Sequence, residues 1–233
     1  MEFSAKPVHV REILPWRDLY RAEMNCQIVH DSMHSREGWT QSYLLEAGGA
    51  PAGYGSTLIA GPWTGTRTAF EFFVTPKYRS RVFDLFCAFL SVGQATAMEV
   101  QTNDALITVM LHIWAHDIKS EKIIFEDKLT TTHSLDSVVF RRRDEPDNDW
   151  ALELDGAAVA RGGILYHYNR PYGDVYMEVA EPFRRRGLGS YLVQELKRVC
   201  YEHGSVPCAR CTRRTSLRGK RFKEPGLCRA RIS

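Results

Sequence analysis

The spacing of apolar residues divides this chain into short alternating runs and longer stripes of helical period. Residues 9–13 read as a strand, and residues 16 to about 34 as a helix with one apolar face. Two alternating runs, 42–46 and 53–60, flank Gly48-Gly49 and predict a hairpin, with a further strand at 69–75. Pro76-Lys-Tyr-Arg-Ser-Arg81 leads into a helix over 82–93, where Phe83, Leu85, Phe86, Phe89 and Leu90 are apolar. A strand at 97–102, a helix at 105–115 and a strand at 122–125 follow.

The same order of elements then recurs. A strand at 150–154, a turn at Asp155-Gly156, strands at 159–168 and 174–179, a loop, a helix and a strand at 206–211 repeat the strand–turn–strand–strand–loop–helix–strand of the first half. Val74 and Val179 fall at equivalent points, each closely followed by a proline and an aromatic-basic pair. Two copies of one α/β unit are therefore expected, 1–130 and 131–233, with residues 130–133 as the linker.

The copies differ in the loop after Val74 and Val179. In the second, Tyr176-Met-Glu-Val-Ala-Glu-Pro-Phe-Arg-Arg-Arg-Gly-Leu-Gly189 reads as a strand, a short loop and a helix start. After it, residues 190–203 carry Leu192, Val193, Leu196, Val199 and Cys200 at helical spacing, and Gly204 ends the helix. A helix start presents unpaired N–H groups and the positive end of a dipole, which suits a pyrophosphate. Arg184, Arg185 and Arg186 add charge, and Gly187 and Gly189 remove Cβ atoms so that phosphates can approach the backbone. The first loop, 76–82, has no glycine, so its side chains are expected to keep a pyrophosphate out.

Residue by residue, Arg184-x-x-Gly187-x-Gly189 resembles the acyl-coenzyme A loop of the GNAT acetyltransferase superfamily, Gln/Arg-x-x-Gly-x-Gly/Ala. The resemblance is firm over about 150–211 and faint over 8–128. It implies an α/β (α+β) fold of two GNAT-like units, each a mixed, mostly antiparallel twisted sheet flanked by helices, the first degenerate. It implies an N-acetyltransferase that uses acetyl-coenzyme A as cosubstrate and no metal. The coenzyme would be held by Val179, Arg184, Arg185, Arg186, Gly187, Leu188, Gly189 and Ser190, with the backbone of Val179 bonding the pantetheine arm. The acceptor implied is a primary amine on a small molecule or peptide; a homodimer is compatible with this class. Other readings are a GNAT-fold binding or regulatory module that has lost catalysis, and an aminoacyl-transferring relative built from paired units.

Acyl transfer to an amine requires a base for the ammonium proton and stabilisation of the oxyanion and leaving thiolate. Glu178, near the end of its strand, is the first candidate base and Asp174 the second; both share a strand face with Tyr176. The competing reading of Glu178 is a loop cap or an arginine partner. Tyr166, Tyr168, Tyr172 and His167 form a polar aromatic cluster nearby, where an acid could come from or which could simply wall a cleft. His112 and His116 are spaced i, i+4 on the expected helix, but with no third ligand and no HExxH they do not make a zinc site. Cys208-x-x-Cys211 has no second pair and reads as two small residues in a strand.

Composition narrows the class further. Hydrophobic content of 44% and charged content of 25% fit a globular chain. Six irregularly placed cysteines and the absence of a signal-type apolar segment at the start lead us to expect a cytoplasmic protein with free thiols. Nine Lys/Arg against one Glu lie from Arg210 onward, which leaves −5 of the total +3 for residues 1–209. That acidic body argues against a nucleic-acid partner. The basic tail, with Gly219 and Pro225, is a poor helix. In the superfamily this position often carries N-x-x-S-x-x-x-L-x-x-A-G-F. Codons exist for residues 212–228 such that, with one base added, the neighbouring frame encodes NAPNVSSRKTLQRAGLV, which carries that pattern up to its final Phe. A single-base frameshift after Cys211 is the expectation; a divergent tail or a basic nucleic-acid-binding tail are the alternatives.

Overall fold

A computed structural model describes residues 1–143, 149–212 and 226–232. The chain forms two units, Met1–Ile123 with Thr212–Ser233, and Ile124–Cys211. The expected boundary at 130/131 put the whole tail in the second unit; the strand Gly226–Ile232 instead pairs with two strands of the first.

In the first unit, β1 (Phe3–Val8), β2 (Thr40–Ala47), β3 (Ala50–Leu58), β4 (Thr68–Val74), β5 (Ala97–Gln101), β12 (Gly226–Ile232) and β6 (Ala115–Glu126) lie in that order across a mixed sheet. All neighbours are antiparallel except β4 and β5. The β2–β3 hairpin turns on Gly48 and Gly49, both at positive φ, as a two-residue turn demands. One sheet face packs on α2 (Val82–Gly93) and α3 (Ala105–Trp114) through Phe72, Val74, Met98, Leu85, Phe86, Phe89, Ile107 and Met110. On the other, α1 (Val10–Met24) meets Tyr54 and Phe73 through Ile13 and Tyr20.

This start differs from the reading of a strand at 9–13 and a helix from 16. The strand comes earlier, and His9 caps the helix: its Nδ1 accepts the Arg11 N–H at 3.2 Å, while Glu12 Oε1 accepts the His9 N–H at 2.9 Å. Histidine is an unusual cap, and a periodicity search passes over it. Asn25, in the left-handed region, ends α1 well before residue 34, and Asp31–Ser35 form a short 3-10 turn. His112 lies in α3 and His116 in β6, so the two do not share a helix.

In the second unit β7 (Val138–Arg142), β8 (Trp150–Leu154), β9 (Ala157–Asn169), β10 (Tyr172–Val179) and β11 (Val206–Thr212) are neighbours in that order. Only β10 and β11 are parallel. Asp155 and Gly156, both at positive φ, turn the β8–β9 hairpin. α4 (Leu188–Glu202) buries Leu188, Leu192, Leu196 and Cys200 against Leu152, Val159, Ala160, Ile164 and Val175. Cys208 is buried in β11, as the strand reading of the cysteine pair requires.

The repeat extends to single hydrogen bonds. Val74 pairs with Gly53 as Val179 pairs with Ala160. Arg79 Nε donates to the Val74 carbonyl at 3.2 Å, and Arg184 Nε to the Val179 carbonyl at 3.0 Å. The N–H of Tyr78 returns to Thr75 O, and that of Phe183 to Ala180 O, each at 2.9 Å.

Candidate acyl-coenzyme A site

The loop of the second unit is built from its backbone outward. After Val179 a short 3-10 turn, Glu181–Phe183, brings Arg184 back to the strand end, where its Nε is held by the Val179 carbonyl. Arg185 (φ 64) and Gly187 (φ 78) both take left-handed backbone, and α4 starts at Leu188. No side chain caps that helix start. Its first N–H groups therefore stand open beside three arginines, an arrangement whose geometry and charge suit an anion. Arg186 lies over the Phe183 ring at 5.4 Å.

The two glycines do different work. A Cβ at Gly187 would meet nothing nearer than Leu135 Cδ2 at 3.8 Å, so the backbone is open there and glycine serves the left-handed turn. At Gly189 the cleared space lies toward the strand: a Cβ would stand 3.1 Å from Met177 Cε and 3.5 Å from Val179 Cγ2. That glycine lets the helix start sit close on β10.

Beside the loop the sheet opens. The parallel ladder of β10 and β11 runs from Tyr172/Val206 to Val175/Ala209 and ends there, while β10 continues to Val179 laddered on β9. Two parallel strands that part at the foot of an uncapped helix leave a wedge bordered by backbone.

The candidate bases sit in unlike places. Asp174 is buried, and its Oδ2 accepts Arg210 Nη2 at 2.5 Å and Nε at 2.9 Å. Glu178 is 82% exposed at its side chain, with Oε1 3.8 Å from Arg184 Nη2. Tyr166 stacks on His203 with ring centroids 4.0 Å apart, and partial burial raises its pKa. Burial also pushes the Cys200 thiol up to about 11 and the Cys208 thiol well above its ordinary value. Both are therefore protonated thiols, unsuited to nucleophilic work. The side chain of Tyr168 lies outside the described residues.

Sequence reasoning missed a second polar constellation, in the first unit. Arg17 is buried between Glu71 (Nε to Oε2, 3.2 Å) and Asp31 (Nη2 to Oδ1, 2.5 Å). Glu71 Oε2 also accepts Tyr54 OH and meets His34 Nε2, each at 2.9 Å. His30 Nε2 and Trp63 Nε1 share Glu99, at 2.7 and 2.9 Å. Tyr20 OH donates to Asp104 at 2.9 Å. Burial opposes the charges of Arg17 and Glu71, but their mutual attraction outweighs it, so Arg17 titrates above and Glu71 below the ordinary range. Burial lifts Asp104 to about 7. Among the described residues no group of three or more His, Cys, Asp or Glu is placed to hold a metal ion.

A strand–loop–helix beside parted parallel strands, present in two copies of which the second carries the left-handed turns, defines a two-unit GNAT fold. Residues 111–216 match the model of the acetyltransferase (GNAT) family. An acetyltransferase from the GNAT family of Colwellia psychrerythraea is similar at TM-score 0.71 and 10% identity, over 99% of this chain and 100% of that one. A tandem GNAT protein from the clavulanic acid biosynthesis pathway aligns at TM-score 0.62 and 13% identity, over 100% and 99%. A GCN5-related N-acetyltransferase from Sphaerobacter thermophilus aligns at 0.59 and 13%, over 99% and 96%. At these identities the likeness is one of fold. No curated protein sequence matches the chain.

Proposed function

We propose that the second unit binds acetyl-coenzyme A and transfers its acetyl group to a primary amine of a small molecule or peptide, in the cytoplasm. The observation that carries this reading is the uncapped start of α4, flanked by Arg184–Arg186, at the mouth of the β10–β11 wedge. The open backbone at Gly187 fits a pyrophosphate. The amides of residues 185–190 would hold it, Arg185 and Arg186 would neutralise the remaining phosphate charge, and the edge of β10 up to Val179 would bond the pantetheine arm. The coenzyme supplies an activated acetyl group. The chain supplies position and a proton acceptor: Glu178, reached from solvent, takes the ammonium proton directly or through water. Asp174, committed to Arg210, orients β10 and β11 at the wedge.

No helix of the described residues is long and apolar enough to cross a membrane. Cys87, Cys200 and Cys208 are free thiols, which supports a reducing compartment. A second reading, a module that binds the coenzyme without turnover, is favoured by the exposure of Glu178 and its arginine neighbour.

Titration calorimetry with acetyl-coenzyme A, followed by thiol release with a panel of amines, tests both. Binding with release that Glu178→Gln suppresses supports the transferase. Binding without release from any amine supports the module, and no binding refutes both.

A further inference from the structure

A segment of the second unit with neither helix nor strand, residues 127–135, lies against α4 and ends beside the loop. Gln194 grips it on both sides of one residue: the His133 N–H donates to Gln194 Oε1 at 2.6 Å, and Gln194 Nε2 donates to His133 O at 3.0 Å. One turn on, Lys197 Nζ donates to Leu129 O and pairs with Asp127 at 2.5 Å. A further turn on, Tyr201 OH donates to Asp127. These three side chains are spaced i, i+3, i+7, a single stripe of the helix. A cavity of about 360 Å³ lies between segment and helix, and Leu129 is 74% exposed. The attachment there is polar bonding at a few points, with little apolar packing. At its far end Leu135 is packed on the core of the unit, 3.8 Å from where a Cβ of Gly187 would be.

We propose that this segment is a strap that sets the shape of the Arg185–Gly189 loop, with Gln194 as its positioning residue. Gln194 fixes His133; His133 fixes the path to Leu135; Leu135 backs the left-handed turn at Gly187. The inference rests on the coenzyme reading only for its effect on affinity. Coupling is reciprocal, so a ligand that orders the loop also tightens the strap.

The test uses the full chain. In Gln194→Ala, trypsin cleavage after the exposed Lys128 accelerates, and the NMR backbone order parameters of residues 185–189 fall in the free protein while the melting temperature of the whole unit barely moves. Acetyl-coenzyme A affinity falls by up to about tenfold, the upper scale of one lost hydrogen bond, and saturating coenzyme slows cleavage of the unsubstituted protein. Leu135→Ala is the second variant: it keeps the clamp and gives the same loss of loop order with little change in cleavage. Faster cleavage in Gln194→Ala with unaltered loop order overturns the proposal, whether or not coenzyme binds. Loop order that responds in a protein that binds no acetyl-coenzyme A upholds the strap and refutes the donor assignment.

Discussion

Gly187→Ala separates the loop's role in folding from its role in binding. Gly187 sits at φ 78 and ψ −9 as the residue before α4. A non-glycine residue in this left-handed region costs about 1–2 kcal/mol. The added methyl meets only Leu135 Cδ2, at 3.8 Å, so no steric term adds to that cost. For a chain of 233 residues the strain lowers the melting temperature by about 2–8 °C. The strain relaxes by turning φ toward negative values, which rotates the adjoining amides away from the anion position. One charge-assisted hydrogen bond lost there weakens binding by about 1.5–3 kcal/mol, roughly tenfold to a hundredfold. Scanning calorimetry reads the first quantity. Titration with acetyl-coenzyme A at fixed ionic strength reads the second, since arginine contributions vary with salt. A melting temperature that falls as stated with affinity unchanged within twofold would refute the loop as the pyrophosphate site.

Asp104 predicts a pH dependence in the first unit. Burial lifts its pKa from 3.8 to about 7, so the folded state holds the proton more tightly than the unfolded chain. Its contribution is complete below about pH 4 and is lost as pH rises through 7, an effect of order 4 kcal/mol. Asp104→Asn should flatten urea-unfolding stability between pH 5 and 8; an unchanged slope would show that Asp104 is ionised throughout. Restoring the alternative frame after Cys211 is expected to raise the melting temperature and the acetyl-coenzyme A affinity, because Asn, Ser, Leu and Ala-Gly replace a basic run containing Gly219 and Pro225. Residues 213–225 of the written frame lie outside the described residues, and equal values for the two versions would show that the tail as written is a working part.

The loop was legible because local signals carry it: alternation into Val179, then proline, arginines and glycines, then a stripe at helical spacing. The hairpins at Gly48-Gly49 and Asp155-Gly156 were legible for the same reason. What the sequence hid depends on register or on distance. Arg210 reaches Asp174 because the parallel ladder sets Asp174 opposite Cys208, two residues from Arg210, and nothing local announces that register. Glu71 and Glu99 lie within apolar runs that read as ordinary strands; only the fold shows that Arg17, His34, His30 and Trp63 converge on them. Pairing of residues 226–232 with β5 and β6 had no sequence signal at all.

The two units share one turn and then use it oppositely. Each returns an arginine to the carbonyl of its strand-ending valine, so the difference is not in how the loop begins. In the first unit the 3-10 turn runs through Pro76–Arg81 and Val82 enters α2 in right-handed backbone, with no left-handed residue in between. Its arginines are taken by protein partners: Arg79 pairs with Glu23, and Arg81 pairs with Asp84 and lies over the Phe3 ring. In the second unit the left-handed pair Arg185 and Gly187 opens the turn, and Arg185 and Arg186 are exposed. The polar groups of the first unit are instead drawn inside, where Arg17, Glu71 and His34 dock the segment between α1 and β2 on the sheet. Charge that is buried and paired costs desolvation and returns a fixed geometry; charge left exposed on a strained turn keeps its attraction for an anion. A similar pattern of residues thus yields a closed turn in one half and an open, arginine-flanked turn in the other, and the difference turns on glycine at 187 where the first unit has Val82.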